Sequence, residues 1–306
     1  MSRKRRRTRR TNSSKTAKIV APVQDQYKDR LFKFLFGNEE RKQNALDLYN
    51  AINGTDYKDV DDLKFNTIDD VIYMGMQNDV SFIFQDCLNM YEQQSSYNPN
   101  MPLRGLVYTG LAYHRYVKVN KVNWYSSNLK KIPVPVFIVF YNGTKEEPDV
   151  ETLKLSDAFI GNNQSKEKAC VEFVAKMYNI NNGHNKGLLD ACQALKEYAA
   201  LVEIVREKLQ TMDIDTAMDE AVKECINKNI LRDVLVKFRS EVIEMLLTEY
   251  NEVETMNAIR EETDAERLVK DVEGIIEEFD APVERACKAC HVSVEEYYAA
   301  KTLLNT

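Results

Sequence analysis

The sequence predicts an α/β core followed by an all-helical C-terminal region. Two observations carry this. Between residues 24 and 161, stretches of helical and of strand-like periodicity alternate. From Lys166 onward strand signals vanish, charge is dense, and apolar residues recur at helical spacing through 188–208, 213–225, 232–250 and 266–279. A third observation sets the N-terminus apart. Residues 1–18 carry nine Lys or Arg and no acid, leaving about −15 on the rest of a chain whose net charge is −6.

In chain order, residues 1–23 read as a basic, disordered tail. It is either a nucleic-acid-binding arm, with Arg5, Arg6, Arg7, Arg9 and Arg10 as its charges, or a solubilising terminus. Residues 27–36 form a short amphipathic helix with Leu31, Phe32, Leu35 and Phe36 on its apolar side, and a second helix covers 39–50. Asn53-Gly54 ends it, and an acidic connection follows at 56–62. Residues 64–73, 80–84 and 88–91 have strand character. Pro99 and Pro102 open a helix whose apolar face would be Leu103, Leu106, Val107, Gly110, Leu111, His114 and Val117. Residues 133–140 are a short apolar run suited to a buried strand. A polar stretch at Gly161-Asn162-Asn163 is the expected boundary, giving a core of 24–161 and a helical region of 162–306. Pro282 opens a last helical pair, broken near His291-Val292-Ser293. No internal repeat is visible.

A chain of 306 residues, 44% hydrophobic with 10 glycines and 7 prolines, can bury a substantial core. No apolar run approaches the roughly 18 residues of a membrane-spanning helix. The arginine-rich start lacks the apolar segment of a secretory signal and the amphipathic pattern of a transit peptide. Six scattered cysteines then suggest free thiols in a reducing cytoplasm. Cys287-Lys-Ala-Cys290-His291 has the form of a haem attachment site, but without export that chemistry is not expected, and zinc would need two more ligands. With three histidines, a Ser or Cys triad lacks support, and His114 reads as a core residue. There is no Walker-type glycine loop. Tyr141-Asn142-Gly143 reads as turn chemistry.

The stretch NDVSFIFQDCLNMYEQQS, residues 78–95, places an acid near each end of two strand-like segments. If the strands turn at Gln85-Asp86, Ile83 faces Leu88, Ser81 faces Met90 and Asp79 faces Glu92, all on one side of the hairpin with Gln94 beyond. Facing side chains sit about 4.5–5.5 Å apart at Cβ, where two carboxylates repel unless a cation lies between them. Mg²⁺ takes oxygen ligands at about 2.0–2.1 Å and usually accepts one or two carboxylates plus waters and phosphate oxygens. The spacing therefore suits a divalent-metal site; the other reading is a solvent-exposed acid pair at a strand end.

The pattern D-(x)12-E-x-Q, after a short helix and before a helix and a strand, resembles the PD-(D/E)XK nuclease superfamily. Its wording is similar to one branch, the Rpn-type recombination-promoting nuclease and transposase family of bacteria. The likeness rests on DRLFKFLFG (29–37), YMGMQNDVSF (73–82), YEQQSSYNPNMPLR (91–104) and IPVPVFIVFYNGT (132–144), extended by LKLSDAF (153–159) and FRSEVIEMLLTEYNE (238–252). It implies a restriction-endonuclease-like core, a mixed sheet flanked by helices, and a Mg²⁺- or Mn²⁺-dependent DNA endonuclease linked to recombination or mobile elements. Asp79 and Glu92 would be metal ligands, the Gln93 carbonyl a further one, and Gln94 would stand at the superfamily's lysine. Gln94 and the further departures Gln77 and Gln93 remove cationic or titrating groups. Asp29 and Lys33 match a D-x-x-x-K spacing in the opening segment, as site residues or as a surface ion pair. Arg104 would meet a phosphate or be an ordinary surface arginine. The alternatives in function are a catalytically weak DNA-binding or protein-interaction module and a nuclease of phage defence. A homo-oligomer through the helical region is a further expectation.

Overall fold

The computed structural model describes residues 31–65, 79–161 and 163–304. Its centre is a mixed six-stranded sheet in the order β1-β2-β3-β4-β6-β5. The strands are β1 (Lys64–Phe65), β2 (Val80–Phe84), β3 (Cys87–Gln94), β4 (Val134–Tyr141), β5 (Val150–Lys154) and β6 (Val174–Asn179). β1, β2 and β3 pair antiparallel, β3, β4 and β6 run parallel, and β5 pairs antiparallel with β6. The strand character expected over 66–73 lies outside the described residues.

Helices cover both faces. On one lie α1 (Leu31–Phe36) and α2 (Lys42–Asn53), packed with Val80, Phe82, Phe84, Tyr91 and Phe140 of the sheet. The apolar side of α1 is the one expected, with Leu31, Phe32, Leu35 and Phe36 all buried. On the other face lies α3 (Met101–Val119), packed with Leu88, Met90, Phe137, Val139 and Tyr141. β2 and β3, sandwiched between the layers, are buried along nearly their whole length.

The strand expectation is corrected in two places: β5 (Val150–Lys154) was not expected from the sequence, and neither was β6. β6 lies beyond Gly161 and is central to the sheet, so the division expected at 161–162 does not coincide with the end of the sheet. VAKMYN alternates exposed Val174 and Lys176 with buried Ala175 and Met177, but an apolar residue at the exposed position 174 and a polar one at the buried position 179 blur the period-two signal in so short a run.

α4 (Asn163–Lys166) lies between β5 and β6, and the helices after the sheet are α5 (Lys186–Ala191), α6 (Gln193–Leu209), α7 (Ile214–Asn227), α8 (Arg232–Lys237), α9 (Arg239–Phe279), α10 (Val283–Ala289) and α11 (Val294–Leu303). Leu195, Tyr198, Leu201, Val222, Leu235, Val242 and Leu246 share one hydrophobic cluster with α1, α2 and the sheet. A smaller cluster of Val272, Ala286, Cys287 and Tyr297 joins the end of α9 to α10 and α11. A capping box between Ser293 and Glu296 starts α11 at the expected break. All six cysteines are free thiols. Among the described residues, no helix is long and apolar enough to cross a membrane.

The face of α3 is also corrected. Met101, Gly105, Tyr108, Thr109 and Ala112 face the sheet, whereas Leu103, Gly110 and His114 are exposed. Gly105 explains the choice: a Cβ there would come within 2.4 Å of Phe173 Cε1 and 2.8 Å of Phe137 Cδ1. Only a residue without a side chain lets the helix approach the sheet this closely.

Candidate functional site

The site is built on the β2–β3 hairpin. Its two-residue turn, Gln85-Asp86, has φ of 49° and 57°, the paired left-handed residues of a tight hairpin turn whose twist matches the strands. The register is the expected one, with Ile83 opposite Leu88, Ser81 opposite Met90 and Val80 opposite Tyr91. Val80, Phe82 and Tyr91 belong to the α1–α2 side, while Leu88, Met90 and Ile83 pack toward α3. Alternation therefore assigns Asp79, one step before β2, and Glu92, near the end of β3, to the face that α3 covers.

Both acids are buried. Glu92 is 1% and Asp79 8% exposed, so each needs compensation to remain ionised. Asp79 Oδ2 accepts a 2.7 Å hydrogen bond from the Gln93 backbone N–H, which ties the start of β2 to the end of β3. Glu92 Oε1 accepts 2.6 Å from Arg104 Nη2 and 3.3 Å from Gln94 Nε2. Arg104 also donates through Nη2 (2.7 Å) and Nε (3.2 Å) to the hydroxyl of Tyr108, one helical turn further along α3. Gln93 is held by its side chain: Nε2 donates 2.7 Å to Asn142 Oδ1, and the Asn142 backbone N–H donates 3.0 Å to the Gln94 carbonyl. Asn142 is 2% exposed, so it is a buried clamp between β3 and β4 rather than simple turn chemistry.

The electrostatics follow the geometry. Burial works against the Arg104 charge, but Glu92, then Tyr108, and then Asp79 outweigh it and hold the guanidinium above its ordinary value. Burial, reinforced by the negative charge of Glu92, pushes the Tyr108 phenol up to about 12, although Arg104 pulls the other way. Asp79 also raises it, so both acids act on the same tyrosine and the same arginine.

Comparison with known proteins found no matching family model, curated protein or solved structure. The site must be read from its own chemistry.

Asp79, Glu92, Gln93 and Gln94 are gathered as the hairpin register requires. Arg104 joins them, but as the partner of Glu92 and Tyr108 rather than as a surface arginine facing solvent. Lys33 belongs to the opposite layer: its stem lies beside Gly37 at the end of α1, and a Cβ at Gly37 would meet Lys33 Cγ at 3.3 Å and Val80 Cγ2 at 3.5 Å. Asp29, Arg5, Arg6, Arg7, Arg9 and Arg10 lie outside the described residues. Tyr108 was not singled out from the sequence. The available signal was Arg104-x-x-x-Tyr108, an i, i+4 pair in the first turns of a helix that follows the second acid by a short loop.

Among the described residues, no group of three or more His, Cys, Asp or Glu side chains is gathered to hold a metal ion. The carboxylate pair instead matches what Mg²⁺ usually takes, with carbonyl, water or phosphate oxygens completing the shell. One observation fits such an ion. Ser81 Oγ, one alternation further along the face of Asp79, is buried without a hydrogen-bond partner among the described residues, and a bound water would satisfy it.

Proposed function

We propose that this chain is a divalent-metal-dependent DNA endonuclease of the PD-(D/E)XK type, of the kind associated with recombination or mobile elements. The observation that carries the reading is the convergence of Asp79 and Glu92 on one sheet face, with Gln94 and the Arg104–Tyr108 pair beside them. In this reading Asp79, Glu92 and the Gln93 carbonyl hold Mg²⁺ or Mn²⁺. Once bound, the ion supplies a water acidified toward neutral pH and a positive charge beside the phosphate.

The protein's own groups do the rest. The backbone bond from Gln93 to Asp79 holds the acids at adjacent strand ends. The Gln94 amide orients a water by hydrogen bonding, since it is no base at neutral pH. Arg104, with its charge reinforced by both acids, keeps Glu92 ionised. Among the described residues its guanidinium is also a cation placed beside this pair for charge developing on a phosphate, where position 94 carries no lysine. Asn142 fixes Gln93 from the neighbouring strand.

One observation favours a second reading. Glu92 is already neutralised by Arg104 at 2.6 Å, so the buried acid has a partner without a metal. That arrangement also suits a catalytically silent DNA-binding or protein-interaction module on the same fold. Plasmid cleavage by wild type and Asp79→Ala, with and without Mg²⁺ or Mn²⁺, separates the two. Metal-dependent nicking that Asp79→Ala abolishes is the expected result. Absence of cleavage by wild type under every metal condition would leave the binding-module reading in its place.

A further inference from the structure

The corrected rotation of α3 leaves its outer face uncovered, and the residues there are unlike the rest of the chain. From Gln93 to Lys145 there is no Asp or Glu, although the whole chain carries 48 acids against 42 Lys and Arg. The same stretch holds Arg104, Arg115, Lys118, Lys121, Lys130, Lys131 and Lys145. Elsewhere lysines pair with acids, as in Lys208–Glu224, Lys223–Asp219 and Lys301–Glu273. Lys118, Lys121, Lys130 and Lys131 are exposed, and among the described residues none has an ion-pair partner. Asp86, whose carbonyl accepts from the Val134 N–H, is an acid at this end of the sheet, on the hairpin turn.

Aromatic and apolar groups stand among these lysines. Trp124, the chain's single tryptophan, is 59% exposed and Tyr125 is 89% exposed, their rings 5.9 Å apart and nearly perpendicular. Between the outer face of α3 and residues 120–133 lies an open cleft of about 760 Å³, lined among others by His114, Val117, Trp124, Leu129 and Lys130. Its size is that of a small-ligand pocket. His114, expected to be a core residue, is exposed on its wall.

We propose that this cleft and its aromatic pair bind an unpaired stretch of DNA, forming a track that leads along α3 to the carboxylates. Unstacked bases find π faces on Trp124 and Tyr125, and the lysines meet the phosphates, which is how single strands are held without sequence readout. The polyanion suits a patch rich in cations and free of acids in its own sequence. A symmetric contact with a second copy would instead set these lysines against one another. The cleft and the site lie toward opposite ends of one helix. Arg104 sits in the first turn of α3 and Val119 at its end, about 22 Å apart at 1.5 Å per residue. That is roughly six stacked nucleotide steps at about 3.4 Å each. This inference rests on the proposed nuclease reading for its substrate, but its test does not depend on cleavage.

Because Trp124 is the only tryptophan, its fluorescence reports this cleft alone, whatever the basic tail does. Full-length protein, wild type and Asp79→Ala, is titrated in EDTA with an unlabelled 20-mer of thymidine nucleotides and with a fully paired duplex of the same length. Quenching by the single strand in both proteins, weaker with duplex, is expected. In anisotropy measurements with a labelled 20-mer, the double variant Trp124→Ala/Tyr125→Ala should bind about tenfold or more weakly, within the range of base–aromatic stacking. Lys130→Ala/Lys131→Ala should reduce the salt slope by about 1.4, since each lost single-strand phosphate contact removes about 0.7. The four substituted cleft side chains are exposed, and circular dichroism checks that the fold is kept in every variant. Binding with no change in Trp124 emission would overturn the proposal, as would quenching equal in duplex and single strand. A dimer in wild type that Trp124→Ala dissociates would assign the face to a second copy and overturn it as well. If wild type quenches but never cleaves, the nuclease reading fails while the track stands. If it cleaves with unchanged KM in both double variants, the track fails while the nuclease reading stands.

Discussion

Arg104 Nη2 lies 2.6 Å from Glu92 Oε1, joining the first turn of α3 to the end of β3. Glu92 is 1% exposed and the Arg104 side chain 28%, so the pair is largely withdrawn from water. It links the sheet to the helix that covers it.

Arg104→Ala would leave Glu92 buried without its guanidinium partner. Breaking such a pair costs roughly 3–5 kcal/mol, and the partial exposure of Arg104 points to the low end, about 3 kcal/mol. Urea unfolding at neutral pH should show the loss. Glu92→Gln in the same background should recover part of it, because the uncompensated charge is then gone. Wild-type stability in Arg104→Ala would mean that the pair is energetically idle.

Tyr108 makes stability fall at alkaline pH. Its phenol has an ordinary value of 10 and about 12 in the folded protein. A raised folded value means that the native state keeps its proton longer than the unfolded chain. The contribution is therefore fully present below pH 10 and is lost as pH rises from 10 through about 12. Two pK units correspond to about 3 kcal/mol. Other buried tyrosines titrate in the same direction, so the measurement is the difference between wild type and Tyr108→Phe. Unfolding midpoints from pH 9 to 11.5 should converge as pH rises; parallel curves would show that Tyr108 is not the group responsible.

Under the nuclease proposal, Asp79 and Gln94 separate metal binding from water activation. Asp79→Ala should abolish both Mg²⁺ or Mn²⁺ binding and cleavage, since an acid that holds the ion is lost. Gln94→Ala should slow cleavage and leave calorimetric metal binding nearly intact. Asp79→Asn is the control for folding, because it retains an oxygen to accept the Gln93 N–H. Unaltered metal binding in Asp79→Ala would remove Asp79 from the ligand set.

The basic tail should add sequence-independent affinity for DNA by releasing counterions. Deleting residues 1–18, which removes nine positive charges, should flatten the dependence of log affinity on log salt. An unchanged slope would show that the arm does not touch DNA.

How much of this was legible in advance depends on the range of the interaction. The β2–β3 hairpin was readable because its determinants are local. Alternation assigns faces, a two-residue turn sets register, and a slip of one residue would move every apolar side chain to the wrong face. The acids at its ends came with it. The helical character after residue 186 was readable for the same reason, as 3.6-residue periodicity needs no partner to be seen, but the bounds were not: the expected stretch 232–250 breaks at Phe238, and α9 runs on through 266–279 as one helix.

Other features required the folded chain. α3 has apolar residues on two sides, Leu103, Leu106, Val107 and Leu111 on one and Met101, Tyr108 and Ala112 on the other. Periodicity identifies such a helix but cannot choose its buried face. The sheet chose, because Gly105 allows contact with Phe137 and Phe173 that a side chain would block. That rotation turned Arg104 and Tyr108 toward Glu92 and left His114 beside the Trp124 loop. β6 became a strand because β4 and β5 offered it hydrogen bonds on both edges, a partnership invisible in a run of six residues. The sequence by itself therefore determined the acids, their register and the helical pattern, through interactions between near neighbours. Tertiary structure alone decided which cation and which phenol those acids meet, because that depends on how a helix rotates when it packs on a sheet.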